Sequence, residues 1–386
     1  MTCRDWLAGA EPPELLHEAG CRVHVLCPPG AWPTKGSFVD AWFPLPVDPD
    51  AAAETLRLHL VRYRYAWVVF GDDPILSALA RRRGEDWLDG VLPIDRRGGD
   101  VEMLGSKAGL ARVCARHRLP TPHTAVVDSL EAARAVAGSM RYPLVVKIDR
   151  SSGGVGVFLA RDAAQLERVF PLDPVGEVGV AVVIQERLAG PVWSAEALYD
   201  RGRLRACATS IMTRSWPRPF GASAQRQYLP APDLDALVGR AGAAISAHGF
   251  ANITAVQDIA TGRHLLFELD LRVNASLRLA AVAGVDFARE VRAMLAGAPI
   301  RPPACVAAVA ANLYPHDVVR CLEEPDVLGL AAWLLGRRRA LPASDLRLER
   351  AYLGYIVRRK LAAVLPAEVV RQVRRWRRRA RFNRPA

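Results

Sequence analysis

Short apolar runs alternate with helix-patterned stretches through the first hundred residues. Cys21-Arg-Val-His-Val-Leu-Cys27 and Tyr65-Ala-Trp-Val-Val-Phe70 read as strands, and the second runs into Gly71-Asp72-Asp73-Pro74, which puts carboxylates where the next helix needs caps. This pattern predicts βα units of a parallel sheet. No GxGxxG fingerprint accompanies it, so a dinucleotide site is not expected there.

From Ser106 the pattern changes. Helices are expected over 107–118 and 130–140, the first ended by the prolines of Leu119-Pro120-Thr121-Pro122. Tyr142-Pro-Leu-Val-Val-Lys147-Ile-Asp-Arg150 reads as a strand with one embedded cation, followed at once by Ser151-Ser-Gly-Gly-Val-Gly156. Further strands are expected over 180–186, 192–199, 204–209, 253–259 and 264–271, with a polar loop over 212–229 and a helix over 234–248.

At 386 residues the chain fits two or three domains. The expected fold is mixed, α/β and α+β. A parallel α/β domain occupies 1–105, a two-lobed module 106–300 (lobes 106–187 and 188–300), and a helical extension with a basic tail 301–386. No apolar run reaches the ~18–20 residues of a membrane span, and the first twenty residues lack the pattern of an export signal. Seven scattered cysteines without CxxC spacing suggest neither disulfides nor zinc, which points to the cytoplasm.

Two clusters carry chemistry. A lysine inside an apolar strand is costly to desolvate unless an anion neutralises it, and glycines let backbone amides approach phosphate oxygens. Lys147 with Gly153, Gly154 and Gly156 therefore suits a triphosphate; an ordinary strand-end lysine before a flexible hairpin is the other reading. Glu268 and Asp270 lie two apart on one strand and share a face, as does Arg272. Gln257 on the preceding strand is expected to face them, giving oxygen donors of the kind Mg²⁺ accepts, unless the strand is simply solvated.

Lys107, the Lys147 strand with its glycine loop, Val183-Ile-Gln-Glu-Arg-Leu-Ala-Gly190, and Gln257 followed by Glu268-Leu-Asp-Leu-Arg272 resemble the ATP-grasp superfamily in order and spacing. The nearest patterns are the carbamoyl-phosphate-synthetase-like and carboxylate–amine-ligase-like members. The resemblance covers about 190 residues, the preceding part looking like the pre-ATP-grasp domain of these proteins.

That resemblance implies a ligase that activates a small carboxylate as an acyl phosphate for attack by an amine or other nucleophile. It implies that Lys107 and Lys147 contact the phosphates of ATP under the glycine loop, and that Gln185, Glu186 and Leu188 receive adenine. Gln257, Glu268 and Asp270 would hold Mg²⁺ (or Mn²⁺), and Arg272 would stabilise the acyl-phosphate step. The sequence departs from the pattern twice. Asp270 stands at the usual asparagine, and Val192 at the acidic residue that holds ribose, which leaves Glu196 as its substitute. The segment around Arg214, Arg218 and Arg226 falls where related proteins bring the acceptor carboxylate; a solvated basic loop is the other reading. A catalytically inactive or regulatory nucleotide-binding protein is the rival reading, and a membrane-surface or nucleic-acid adaptor organised by the basic tail is a third.

The net charge of +12 is concentrated at the end of the chain. Residues 358–386 carry eleven Lys/Arg against one acid, Glu368, a net +10 that leaves +2 for the remainder. Val369, Val373, Trp376 and Ala380 recur there at helical spacing among arginines. Such a helix suits an anionic membrane surface, with the protein peripheral on its inner face, or packing against the body; nucleic acid is the least favoured partner.

Overall fold

The computed structural model describes residues 1–98, 100–151, 154, 156–170, 181–217, 221–303, 306–336 and 345–364. In the N-terminal region α1 (Pro12–Glu18) precedes β1 (His24–Cys27) and β2 (Ala41–Pro44), which pair in parallel. Helices α2 (Pro49–Arg62) and α3 (Asp73–Arg81) follow. Asp72 caps α3 by accepting from the amide of Ile75, as the carboxylates before Pro74 suggested. The stretch expected as a second strand, 65–70, forms no ladder among the described residues. It bonds singly instead: Phe70 O accepts from Val273 N at 3.0 Å, tying this region to the loop after the last predicted strand.

Two antiparallel sheets follow. In the first lobe α4 (Lys107–Arg116), β3 (Thr124–Val127), α5 (Leu130–Ala137), β4 (Leu144–Ile148), β5 (Val157–Ala160), α6 (Ala163–Val169) and β6 (Val182–Glu186) build a sheet of order β3-β6-β4-β5. Leu144, Val146, Ile148, Val182 and Ile184 fill its core beneath α5 and α6.

The second lobe contains β7 (Val192–Asp200), β8 (Arg203–Trp216), β9 (Ala222–Tyr228), α7 (Pro232–Ala244), β10 (Gly249–Gln257), β11 (His264–Asp270), α8 (Phe287–Leu295) and β12 (Val309–Asn312). Its strand order is β11-β10-β7-β8-β9-β12. Helices α9 (His316–Glu323), α10 (Val327–Leu334) and α11 (Leu346–Val364) complete the described chain.

Strand alternation sets the character of this second sheet. Ala195, Ala197, Tyr199, Ile253, Ala255 and Leu266 face α7 and the N-terminal region in one apolar cluster. On the other face Leu198, Ala206 and Phe250 pack under α8, while Ser194, Glu196, Asn252, Thr254, Glu268 and Asp270 are polar. A sheet face that turns from apolar to polar along its strands marks where something other than protein core is met.

The segment expected as a polar loop over 212–229 is the hairpin of β8 and β9. Its buried positions include Ser223 and Arg226 beside Ala224 and Tyr228, so the usual apolar alternation is missing from the sequence. β12 joins the same sheet beyond β9, so the sheet continues past 300, where a separate extension was expected. The basic tail lies outside the described residues.

Candidate active site

The embedded cation of β4 points across to the second lobe. Lys147 is buried; its Nζ donates to Gln185 Oε1 at 2.9 Å and to the carbonyl of Phe267, on β11, at 3.4 Å. It also lies 4.9 Å from the Phe267 ring centre. Burial pushes its pKa down to about 8, Lys107 adds to that, and Glu268 opposes it. Both an acid of β11 and a second lysine therefore lie within electrostatic reach of this ammonium.

Lys107 opens α4, where Ser106 caps the helix and is itself bonded to Asp149 at 3.0 Å. Its Nζ bonds the backbone oxygen and hydroxyl of Ser151, at the root of the glycine loop. Gly154 and Gly156 adopt φ of 78° and 76°, and a Cβ at Gly156 would press on Ser151 and Ile148. Gly153 lies outside the described residues.

On β11, Glu268 and Asp270 share a face as expected, and the register sets Thr254 opposite Glu268 and Asn252 opposite Asp270. Thr254 donates to Glu268 Oε2 at 3.3 Å. Gln257 does not join them. It pairs with His264 beyond a register shift, accepts from Trp193 Nε1 at 3.3 Å and donates to the Gly262 carbonyl at 3.2 Å, on the face that carries Ala255 and Leu266. Strand parity is the reason: 257 is an odd number of residues from 254, so its side chain leaves the carboxylate face.

Arg272 sits between two acids. Its Nε donates to Asp73 at 2.8 Å and its Nη2 to Asp270 at 2.7 Å, while Nη1 bonds the Val273 carbonyl at 3.4 Å. Three of its five N–H groups are engaged within the protein, in a clamp that orients Asp270 and joins β11 to α3. Burial, with Asp73 and Glu268 nearby, raises the pKa of Asp270 against the pull of Arg272.

Glu196, the expected substitute at the ribose, has one oxygen engaged within the protein. It is buried on β7, and its Oε1 accepts from Asn252 at 2.9 Å, Arg226 at 3.3 Å, Asn274 at 3.5 Å and the Ser276 hydroxyl. Burial raises its pKa, opposed by Arg226. A mid-strand carboxylate of β7 paired with an arginine of β9, across the intervening β8, leaves no local sequence signal, so Arg226 is legible in the sequence only as part of a basic segment. Within this cluster Arg226 Nε and the Tyr228 hydroxyl are buried without a protein partner. Arg214 instead pairs with Asp326 at 3.1 Å, and Arg218 lies outside the described residues.

At the inter-lobe junction Gln185 bridges Lys147 and Thr124, and Glu186 accepts from the amide of Arg141 at 2.9 Å and contacts His123. Leu188 is half-buried in the irregular segment before Gly190. Gly190 has φ of 153°, and a Cβ there would fall 1.9 Å from the Gln257 carbonyl. That close approach joins the inter-lobe connection to the end of β10.

A four-stranded antiparallel lobe presents buried and loop-root lysines to a carboxylate-bearing strand of a second lobe, an arrangement similar to that expected of the ATP-grasp superfamily. More particularly, residues 105–189 match the family model of the RimK-like ATP-grasp domain.

Among solved structures, the biotin carboxylase domain of 2-oxoglutarate carboxylase from Hydrogenobacter thermophilus, in complex with MgADP, ADP and bicarbonate, aligns with a TM-score of 0.62. It is 16% identical, with 80% of this chain and 72% of that chain covered. L-amino acid ligase from Bacillus licheniformis aligns with a TM-score of 0.56 at 20% identity, covering 75% and 74%. At such identities the likeness is one of fold. Phosphoribosylamine–glycine ligase of Xanthomonas axonopodis pv. citri is 34% identical over 114 residues, which is 28% of this chain and 26% of that protein. The match spans about a quarter of that relative's length.

Proposed function

We propose that the chain is an ATP-dependent ligase that converts a small carboxylate to an acyl phosphate and passes it to an amine or another nucleophile. A carboxylate oxygen attacks the γ-phosphorus of ATP and ADP leaves; the nucleophile then attacks the acyl carbon and inorganic phosphate leaves. The observation that carries this reading is the Lys147 ammonium, buried between the lobes and aimed at β11, with a carbonyl and an amide oxygen as its bonded partners. A polyphosphate would supply the anion that such a cation lacks.

Lys107 and Lys147 bind the phosphates in this reading, with Gly154 and Gly156 at the base of the covering loop. Gln185, Glu186 and Leu188 line the adenine end. Glu268 and Asp270 are hard-oxygen donors on one strand face, and they fit Mg²⁺ (or Mn²⁺) bound together with phosphate oxygens. A bound cation would screen the phosphate charge. Arg272 holds Asp270 in place.

The acceptor carboxylate is assigned to the polar end of the second sheet. There Arg226 Nε and the Tyr228 hydroxyl are donors without partners, and a buried donor left unbonded is costly unless a ligand meets it. The described cysteines are free, consistent with a cytoplasmic setting, and among the described residues no helix is long and apolar enough to cross a membrane.

Incubation with Mg·ATP, hydroxylamine and pooled amino acids or sugar acids tests it. ADP and a hydroxamate should form together with at least one acid. ADP formation that persists undiminished in Glu268→Ala would overturn the assignment of the carboxylate strand.

A further inference from the structure

The C-terminal helices carry apolar surface that the ligase reading does not use. Val327 and Leu334 on α10, and Leu328 and the C-cap residue Leu335, are pairs seven residues apart, so all four lie along one side of the helix, with Leu328 84% and Leu334 81% exposed. On α11 a second stripe runs through Leu346, Leu353, Val357 and Leu361, all exposed, with Arg350 among them. Both helices pack against α9. Exposed apolar stripes of this length mark a contact surface.

Charge identifies what covers it. Residues 327–386 hold sixteen Lys/Arg against three acids, a net +13, so the preceding 326 residues carry −1 of the total of +12. Arg337, Arg338 and Arg339 follow α10 in sequence, and eight Lys/Arg follow α11. A second copy of the chain would bring +13 against +13, and the chain's own last residues would set their cations against Arg347, Arg350, Arg358 and Lys360. An anionic lipid surface offers both an apolar phase for the leucines and phosphate for the arginines.

We propose that α10 and α11 dock the protein on an anionic membrane, leucines in the headgroup–acyl boundary and arginines on the lipid phosphates. The docked helices are fastened to the β8–β9 hairpin. Arg214 pairs with Asp326 beside α10, and Arg359 of α11 pairs with Glu323 and lies 5.2 Å from the Trp216 ring centre. Docking therefore brings the hairpin that bears Arg226 toward the bilayer.

Co-sedimentation of the full chain with vesicles tests this, comparing pure phosphatidylcholine with about 30% phosphatidylserine at about 0.15 M salt, where exposed charges beyond about 8 Å are screened. Leu328→Glu/Leu334→Glu and, separately, Leu353→Glu/Val357→Glu leave every arginine in place, and thermal melts confirm that each variant is folded.

The wild type should bind the anionic vesicles and bind the neutral ones far less, and at least one folded variant should lose about tenfold or more in affinity. Undiminished binding by both folded variants would assign attachment to the basic tail alone and overturn the proposal. So would failure of the wild type to bind, or a dimeric mass by light scattering that the variants abolish. The result is independent of ATP turnover, so it stands or falls apart from the ligase reading.

Discussion

The Nζ of Lys147 lies 3.4 Å from the carbonyl oxygen of Phe267, 120 residues further along the chain, and this contact sets a first-lobe cation directly beside the carboxylate strand of the second. The two lobes thus meet around a charge that neither neutralises fully.

A proton count follows from that contact. Burial holds Lys147 at about 8 in the folded protein against 10.5 for an ordinary lysine, so between those values the unfolded chain binds more protons. The unfolding free energy of the ligand-free protein should therefore rise with pH across that window, with a contribution on the order of 3 kcal/mol. Bound phosphate restores the charged form, and at about pH 8.5 nucleotide binding should take up a proton. Calorimetric titration in two buffers of different ionisation enthalpy reads the uptake directly; identical heats would refute it.

Metal dependence separates the carboxylate strand from the residue once expected to join it. Glu268→Gln should raise the Mg²⁺ concentration needed for half-maximal nucleotide binding by about tenfold or more. Gln257→Ala should leave that concentration unchanged, because its amide bonds Trp193 and Gly262. A shift in Gln257→Ala equal to that in Glu268→Gln would show that the register argument is wrong.

The Glu196–Arg226 pair is buried on both sides. Removing one partner strands the other charge, so Arg226→Met should destabilise the protein by about 3–5 kcal/mol in urea unfolding. The Glu196→Gln/Arg226→Met double variant should recover part of that loss. Equal stability of the single variant and wild type would mean that the pair is solvated.

Gly190→Ala tests the inter-lobe connection. The added carbon would fall 1.9 Å from the Gln257 carbonyl, so backbone must move, at a cost of about 2 kcal/mol or more. A melting temperature within a degree or so of wild type would contradict the close approach.

Much of this was legible in the sequence. Lys147 stood out because a cation in an apolar run needs an anion, and Glu268 and Asp270 because a spacing of two on a strand fixes a common face. The fault at Gln257 was one of counting: spacing along one strand is exact, whereas register across a hairpin depends on its turn and on the shift after Thr254. The β8–β9 hairpin was invisible for a different reason, since its polar residues face the polar part of the sheet and imitate a loop. The ion pair of Arg272 with Asp73 was not legible because the two are 199 residues apart, a distance no local pattern records.

Equilibrium binding of Mg·ATP to the wild type and to Lys147→Met tests the central claim most directly. The wild type should bind, and the variant, folded by its melt, should bind at least about tenfold more weakly, as loss of a charged hydrogen bond worth about 1.5–3 kcal/mol requires. Equal affinity in the two proteins, or no binding by the wild type, would contradict a triphosphate seated between Lys147 and the strand of Glu268.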